Sequence, residues 1–166
     1  FFYWYYDNQD LHSVDRLQRQ ICIRDRISTL HHIAIICSDY EKSKKFYTAI
    51  LGFTIEQEIY REKRKSFKLD LSLNGEYLIE LFSFSAPPSR LTRPEATGLR
   101  HIAFGVNDLD ECIKFLNTKN IESEPVRVDE FTDKKFAFFT DPDDLPIELY
   151  ELWGYFIWNN NNLWAQ

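Results

Sequence analysis

The chain has 166 residues, 44% of them hydrophobic, and a formal net charge of −6. That length suits one domain, or two small halves sharing a core. The acidic balance argues against a nucleic-acid footprint, which needs a basic face, and no apolar run reaches the roughly 18 residues of a membrane span. Cys22, Cys37 and Cys112 are odd in number, far apart and form no CxxC, so a reducing cytoplasm is expected rather than a disulfide framework.

Residues 1–28 stand apart from the rest. Phe1 to Tyr6 are all aromatic, and Ser13 to Arg26 resembles a translated sequencing adaptor. There is no Met in the chain, and charges interrupt any apolar core of the kind a signal peptide needs. We read 1–28 as a foreign or disordered flank.

A single domain is expected over 29–152. Its first unit, 29–84, opens with a β-branched run, 30–37, read as a strand buried on both faces. Ser38 and Glu41 make a capping-box pattern, which predicts a helix over about 40–50. Phe46, Tyr47, Ile50 and Leu51 recur there at helical spacing, and Gly52 sits where a helix-ending glycine belongs. Strands follow at 53–60 and 67–73, the latter with Phe67, Leu69, Leu71 and Leu73 alternating with polar residues. Asn74-Gly75 is a two-residue hairpin signal that returns the chain into a strand at 77–84. Residues 85–98, with Pro87, Pro88, Pro94 and Gly98, read as a linker. The second unit, 99–152, repeats the plan. A strand at 99–106 leads to a helix over about 108–118, capped by Asn107 and ended by Asn120. Strands are then expected at 121–128, 135–140 and 146–152. The tail 153–166, with four consecutive Asn, reads as disordered or foreign.

The two units are copies of one pattern, and a repeat of this kind controls the fold assignment. Leu30, His32, Ile33, Ala34 and Asp39 recur 69 residues later as Leu99, His101, Ile102, Ala103 and Asp108. Ile79-Glu80-Leu81 recurs 68 residues later as Ile147-Glu148-Leu149. Each half therefore carries one His near its first strand and one Glu on its last, spaced 48 and 47 residues apart. A lone His or Glu on a strand is ordinarily structural or solvated; two pairs in register argue for one shared site. Two pseudo-symmetric units could bring all four side chains together. Two imidazoles and two carboxylates suit one divalent ion of intermediate hardness, such as Zn, Ni, Co, Mn or Fe. His31 has Arg100 as its repeat partner and is not expected to ligate. Arg61, Lys63, Arg64, Lys65 and Lys68 cluster, with Arg127, Lys134 and Lys135 in the comparable part of the second half. Such residues commonly protect a strand edge. Read functionally, Arg61 and Arg127 are the candidates for contacting an anionic substrate.

The repeat, the four His/Glu positions and the closing Asp141-Pro142-Asp143 … Glu148 motif resemble the vicinal oxygen chelate superfamily, which is glyoxalase I-like. Within it, Asn74-Gly75-x-Tyr77-x-Ile79-Glu80-Leu81-Phe82-Ser83-Phe84, Arg93-Pro94-Glu95-Ala96 and Gly98-Leu99-Arg100-His101 are similar to the small bacterial YaeR-type proteins. The resemblance implies an α+β fold in which tandem βαβββ repeats form a cupped mixed sheet. It implies His32, Glu80, His101 and Glu148 as metal ligands, and a homodimer in which half-units pair between chains. It further implies a lyase or isomerase acting on a small substrate that chelates the metal through adjacent oxygens. The reaction would pass through an enediolate, with Glu148 or Glu80 as the base. Other members of the superfamily are extradiol-type dioxygenases and antibiotic-binding or resistance proteins; the fourth ligand position, Glu80, argues against the dioxygenase, and four intact ligand positions argue against a pure binding protein. Two departures matter. Ile36 stands where bacterial glyoxalase I usually has an arginine for glutathione, so a glutathione-linked substrate is not implied. Asp144 stands where the closing loop commonly has glycine.

Overall fold

The computed structural model describes residues 27–152, so the expected flanks lie outside the described residues apart from 27 and 28. The chain divides into two compact units, Phe1–His31 and His32–Gln166. In the first, residues 27–31 have no regular secondary structure. The second contains β1 (Ile33–Cys37), α1 (Tyr40–Lys45, continued by a π-helical turn Phe46–Ile50), β2 (Thr54–Arg61), β3 (Ser66–Leu73) and β4 (Glu76–Ser83). After the linker come β5 (Ile102–Val106), α2 (Leu109–Thr118), β6 (Arg127–Val128), β7 (Lys135–Thr140) and β8 (Pro146–Glu151). Two four-stranded mixed sheets result, in the orders β1-β4-β3-β2 and β5-β8-β7-β6. In each, the first strand runs parallel to the last and the remaining pairs are antiparallel. The tandem βαβββ expectation is met, and the two sheets also match in register: Ala34 lies opposite Glu80, and Ala103 opposite Glu148.

Local signals placed the turns correctly. Asn74 and Gly75 both have positive φ, 54° and 82°, as a type I′ hairpin turn requires. Asn120 (φ 57°) ends α2. The helix over 40–50 takes a π turn, with Leu51 N–H reaching Phe46 O at 3.1 Å, before Gly52 (φ 79°) leaves it. The caps differ from expectation by one residue. Asp39, not Ser38, accepts from Lys42 N–H, and Asp108, not Asn107, accepts from Glu111 N–H. Ser38 N–H instead donates at 3.1 Å to the carboxylate of Asp143, 105 residues further along the chain. The strand expected at 121–128 shrinks to Arg127–Val128; upstream of it, Glu124 N–H holds the segment to Phe138 O at 2.7 Å. Lys63 and Arg64 sit in a 3₁₀ turn that Lys65 (φ 46°) closes.

β1 is buried on one face, contrary to expectation: Ile35 and Cys37 are buried, while Ala34 and Ile36 are exposed. A strand sends alternate side chains to opposite faces, and among the described residues helices pack on one of them. On that face Leu69, Leu71, Ile79 and Leu81 of the first sheet join Ala137, Phe139, Ile147 and Leu149 of the second in a single core. Burial of each large apolar side chain is worth about 1.5–3 kcal/mol relative to exposure. Aromatic contacts join the halves: Phe46 meets Phe139, and Phe53 meets Phe104 edge-on at 5.9 Å. The consequence for function is geometric. Each sheet turns its other face away from this common core, and with Ile79 and Leu81 in the core, alternation places Glu80 on that outer face.

Asp144 has φ 64°, a conformation glycine adopts without a Cβ penalty. Asp144→Gly is expected to raise stability by about 0.5–1 kcal/mol, read as a higher urea midpoint; a lowered midpoint would contradict it.

Candidate functional site

Register builds each His–Glu pair. In the first sheet Ala34, Glu80 and Asp70 lie in a row across β1, β4 and β3. His32, two residues before Ala34, points to the same face. Alanine is short, so the His32 ring reaches over it to Glu80, with Nε2 and Oε2 3.3 Å apart. The second sheet repeats this with Ala103: His101 Nε2 lies 3.1 Å from Glu148 Oε2. Both carboxylates are largely covered, at 15% and 14% exposure, and both imidazoles are half-buried.

The surroundings of the two pairs differ. Glu80 Oε1 accepts from Tyr77 OH at 2.6 Å and from Lys68 Nζ at 2.7 Å, and Lys68 also donates to Asp70 at 2.6 Å. Burial opposes the charge on Glu80, but the Lys68 and Tyr77 hydrogen bonds outweigh it and hold the carboxyl below the usual range. Burial, and then the bond to Glu80, push the Tyr77 hydroxyl well above its ordinary value. Tyr77 was missed in the sequence because strict alternation puts it on the opposite face from Glu80. A register shift between Leu71 and Ser72 leaves Leu78 extra in β4, so Tyr77 pairs with Ser72 and rejoins the Glu80 face. Lys68 and Asp70 were legible in principle as the polar half of the alternating β3 pattern. In the second sheet Phe138 takes the place of Asp70, directly opposite Glu148, and meets His101 edge-on at 5.3 Å. His101 is the polar side chain that Glu148 meets among the described residues. His101 Nδ1 is buried without a hydrogen-bond partner.

The described residues of one chain do not bring all four side chains together. Among the described residues no group of three or more His, Cys, Asp or Glu is close enough to hold a metal ion. The reason is the common core: each pair occupies the face its sheet turns away from it. Each pair nonetheless fits half of a metal site. Two ligand atoms about 2.1 Å from one ion, at angles between square and tetrahedral, stand about 3.0–3.4 Å apart, which matches both His–Glu separations.

Arg61 and Arg127 occupy comparable places. Arg61 donates to Ser66 Oγ at 2.7 Å and lies 4.5 Å from the centre of the Phe82 ring, with its Nε buried and unpartnered. Arg127 lies 5.0 and 5.2 Å from the centres of Phe136 and Phe138. Beside it, a cavity of about 250 Å³ opens onto His101, walled on one side by linker residues 90–93, 95 and 96; Arg61 does not line it. His31 is exposed.

The fold and the paired sites define a class. Residues 29–149 match the Glyoxalase/Bleomycin resistance protein/Dioxygenase superfamily, and the chain belongs to it. It is 64% identical to the uncharacterized protein YwkD of Bacillus subtilis over 125 residues, 75% of this chain and 98% of that one. It is 58% identical to the uncharacterized protein YaeR of Escherichia coli, over 75% of this chain and 97% of that one. Among solved structures, a glyoxalase family protein from Enterococcus faecalis superposes with a TM-score of 0.71 at 48% identity, covering 76% of this chain and 99% of that one. More distant members carry named activities. The metallothiol transferase FosB of Staphylococcus saprophyticus is 32% identical, over 75% of this chain and 77% of that one. The trypanothione-dependent glyoxalase I of Leishmania major is 27% identical, with a TM-score of 0.57 over 75% of this chain and 87% of that one. Members of the superfamily commonly use a divalent metal. No helix among the described residues is long and apolar enough to cross a membrane.

Proposed function

We propose that this protein is a divalent-metal-dependent, glyoxalase I-like lyase or isomerase, acting on a small molecule that offers two adjacent oxygens to the metal. The observation that carries this reading is the pair of His–Glu contacts, 3.3 and 3.1 Å, built in matching register on the two sheets. His32, Glu80, His101 and Glu148 would hold one ion of the Zn, Ni, Co, Mn or Fe class. When bound, such an ion supplies Lewis-acid polarisation of the substrate oxygens.

The chain's own groups divide the remaining work. Lys68 and Tyr77 occupy Glu80 Oε1 with two hydrogen bonds and hold its carboxyl below the usual range. Glu148 faces Phe138 and is tied through His101, so it is the carboxylate that takes a proton from one substrate carbon and returns it to the neighbour. Phe138, directly opposite Glu148, gives that carboxylate an apolar neighbour. The FosB relationship supports a second reading, thiol transfer to a small electrophile, on the same four residues. Free Cys37 and Cys112 suit a reducing cytoplasm.

One ion needs both pairs, and a chain keeps its pairs on separate outer faces. We therefore place the site between two copies, the His32–Glu80 pair of one facing the His101–Glu148 pair of the other. The edges of β1 and β5, unpaired among the described residues, with Ile36 exposed at 55%, are surfaces that such pairing would cover.

Purified protein is expected to be a dimer binding about one divalent ion per chain, by light scattering and elemental analysis. Two double variants, H32A/E80Q and H101A/E148Q, should each lose the metal. Co-expressed, they should regain it at one site per heterodimer, because one of the two sites then has both pairs intact. Methylglyoxal with a panel of thiols is the first activity assay. A chain that cannot be loaded with metal would refute the reading, and failure of complementation would refute the shared site.

A further inference from the structure

The cavity beside His101 carries a charge pattern that the metal reading does not use. Arg90, Arg93, Arg100 and Arg127 line it against Glu95 and Glu124, an excess of two positive charges in a chain of net charge −6. We propose that this cavity receives a carboxylate or phosphate group on the substrate, with Arg127 as its principal contact and Arg93 as its second. The proposal rests on the metal-site reading only for what lies at the other end of the substrate.

The geometry supports a prepared anion seat. Glu124 accepts from Arg93 with one oxygen, at 3.1 Å, and from Arg127 with the other, at 2.9 Å. One carboxylate thus orients two guanidiniums toward one place, and each commits one nitrogen to it. A guanidinium has five N–H donors in a rigid fork, so donors remain for the two oxygens of a carboxylate or phosphate. Arg127 is further immobilised between Glu124 and the faces of Phe136 and Phe138, which reduces the entropy lost on binding. Arg90 acts differently. It donates to the Leu99 and Arg100 carbonyls, pinning the linker to the start of the second unit beside His101. Phe138 joins the two ends of the site. Its ring contacts the Arg127 guanidinium on one side and the His101 imidazole on another, at 5.2 and 5.3 Å between centres. A small molecule could therefore hold its anionic end on Arg127 and its paired oxygens at the His101–Glu148 pair.

The test uses matched α-hydroxy acids titrated calorimetrically into the metal-loaded dimer. Malate and 3-phosphoglycerate carry an added carboxylate or phosphate; lactate and glycerate lack it. The member with the added anionic group in each pair should bind about ten- to a hundredfold more tightly, and comparison of the two pairs distinguishes carboxylate from phosphate. Arg127→Gln should abolish the difference, Arg127→Lys should retain part of it, and Arg93→Gln should reduce it. Lys45→Gln, on the exposed side of α1, should leave it unchanged. Inorganic phosphate titrated into EDTA-stripped protein separates the two readings. Arg127-dependent phosphate binding there supports the anion seat even if the chain takes no metal. Equal affinities within each pair, or a difference that survives Arg127→Gln in a normally melting protein, overturn it.

Discussion

Glu148→Gln is expected to lower kcat by about 10²- to 10⁴-fold, the usual contribution of a positioned general base, while the protein still takes up metal at saturating concentration. The amide keeps an oxygen for coordination but cannot accept the proton. The contrasting pair is Lys68→Met and Tyr77→Phe. These remove the donors that lock Glu80, and loss of such supporting bonds commonly weakens metal binding by about 10- to 100-fold. Once saturated with metal, they should turn over nearly as the parent does. The unequal environments of the two glutamates are the basis for this division: Lys68, Tyr77 and His32 surround Glu80, whereas a phenylalanine stands opposite Glu148. An unchanged kcat in Glu148→Gln, or equal losses in all three variants, would show that the base is elsewhere.

Asp141→Ala is expected to destabilise the fold by about 3–5 kcal/mol, at the upper end for a single substitution. Asp141 is 4% exposed. Its Oδ1 accepts from Leu145 N–H at 2.8 Å and Asp143 N–H at 2.9 Å, and its Oδ2 accepts from Tyr47 OH at 3.0 Å. Burial lifts its carboxyl above the usual carboxylate range, and these three bonds only partly offset that. Truncation strands three donors, and a buried donor without an acceptor bears its full desolvation cost. It also releases the loop before β8 and cuts a link between the α1 region and the second sheet. For a chain of this size the melting temperature should fall by roughly 10 °C. Tyr47→Phe removes one bond and should cost about 1 kcal/mol. A loss below about 1 kcal/mol for Asp141→Ala would mean that the loop is held by other contacts.

The linker illustrates where a structural reading adds to a sequence reading. Residues 85–98 carry the marks of a connector, and Pro and Gly there say only that regular structure stops. Folded, residues 90–93, 95 and 96 wall the cavity beside His101 and supply two of its four arginines, Arg90 and Arg93. Arg127 was legible as a basic residue in an acidic chain. Its orientation by Glu124 and its place over Phe136 and Phe138 were not, because those partners come from different elements.

The amino-acid sequence by itself determined the tandem βαβββ plan, the Asn74-Gly75 turn, the end of α2 at Asn120, and the equivalence of His32 with His101 and Glu80 with Glu148. These follow from periodicity, turn chemistry and a repeat, which report contacts between residues near in sequence or related by copying. Tertiary structure alone decided that the two helix-covered faces merge into one core. That placed the His–Glu pairs on outward faces, and among the described residues the two pairs do not come together within one chain. It also decided that an extra residue in β4 brings Tyr77 beside Glu80, and that Ser38 serves Asp143 while Asp39 caps the helix. Each of these depends on docking between distant segments, where a single residue of register or one shared apolar face outweighs local preference.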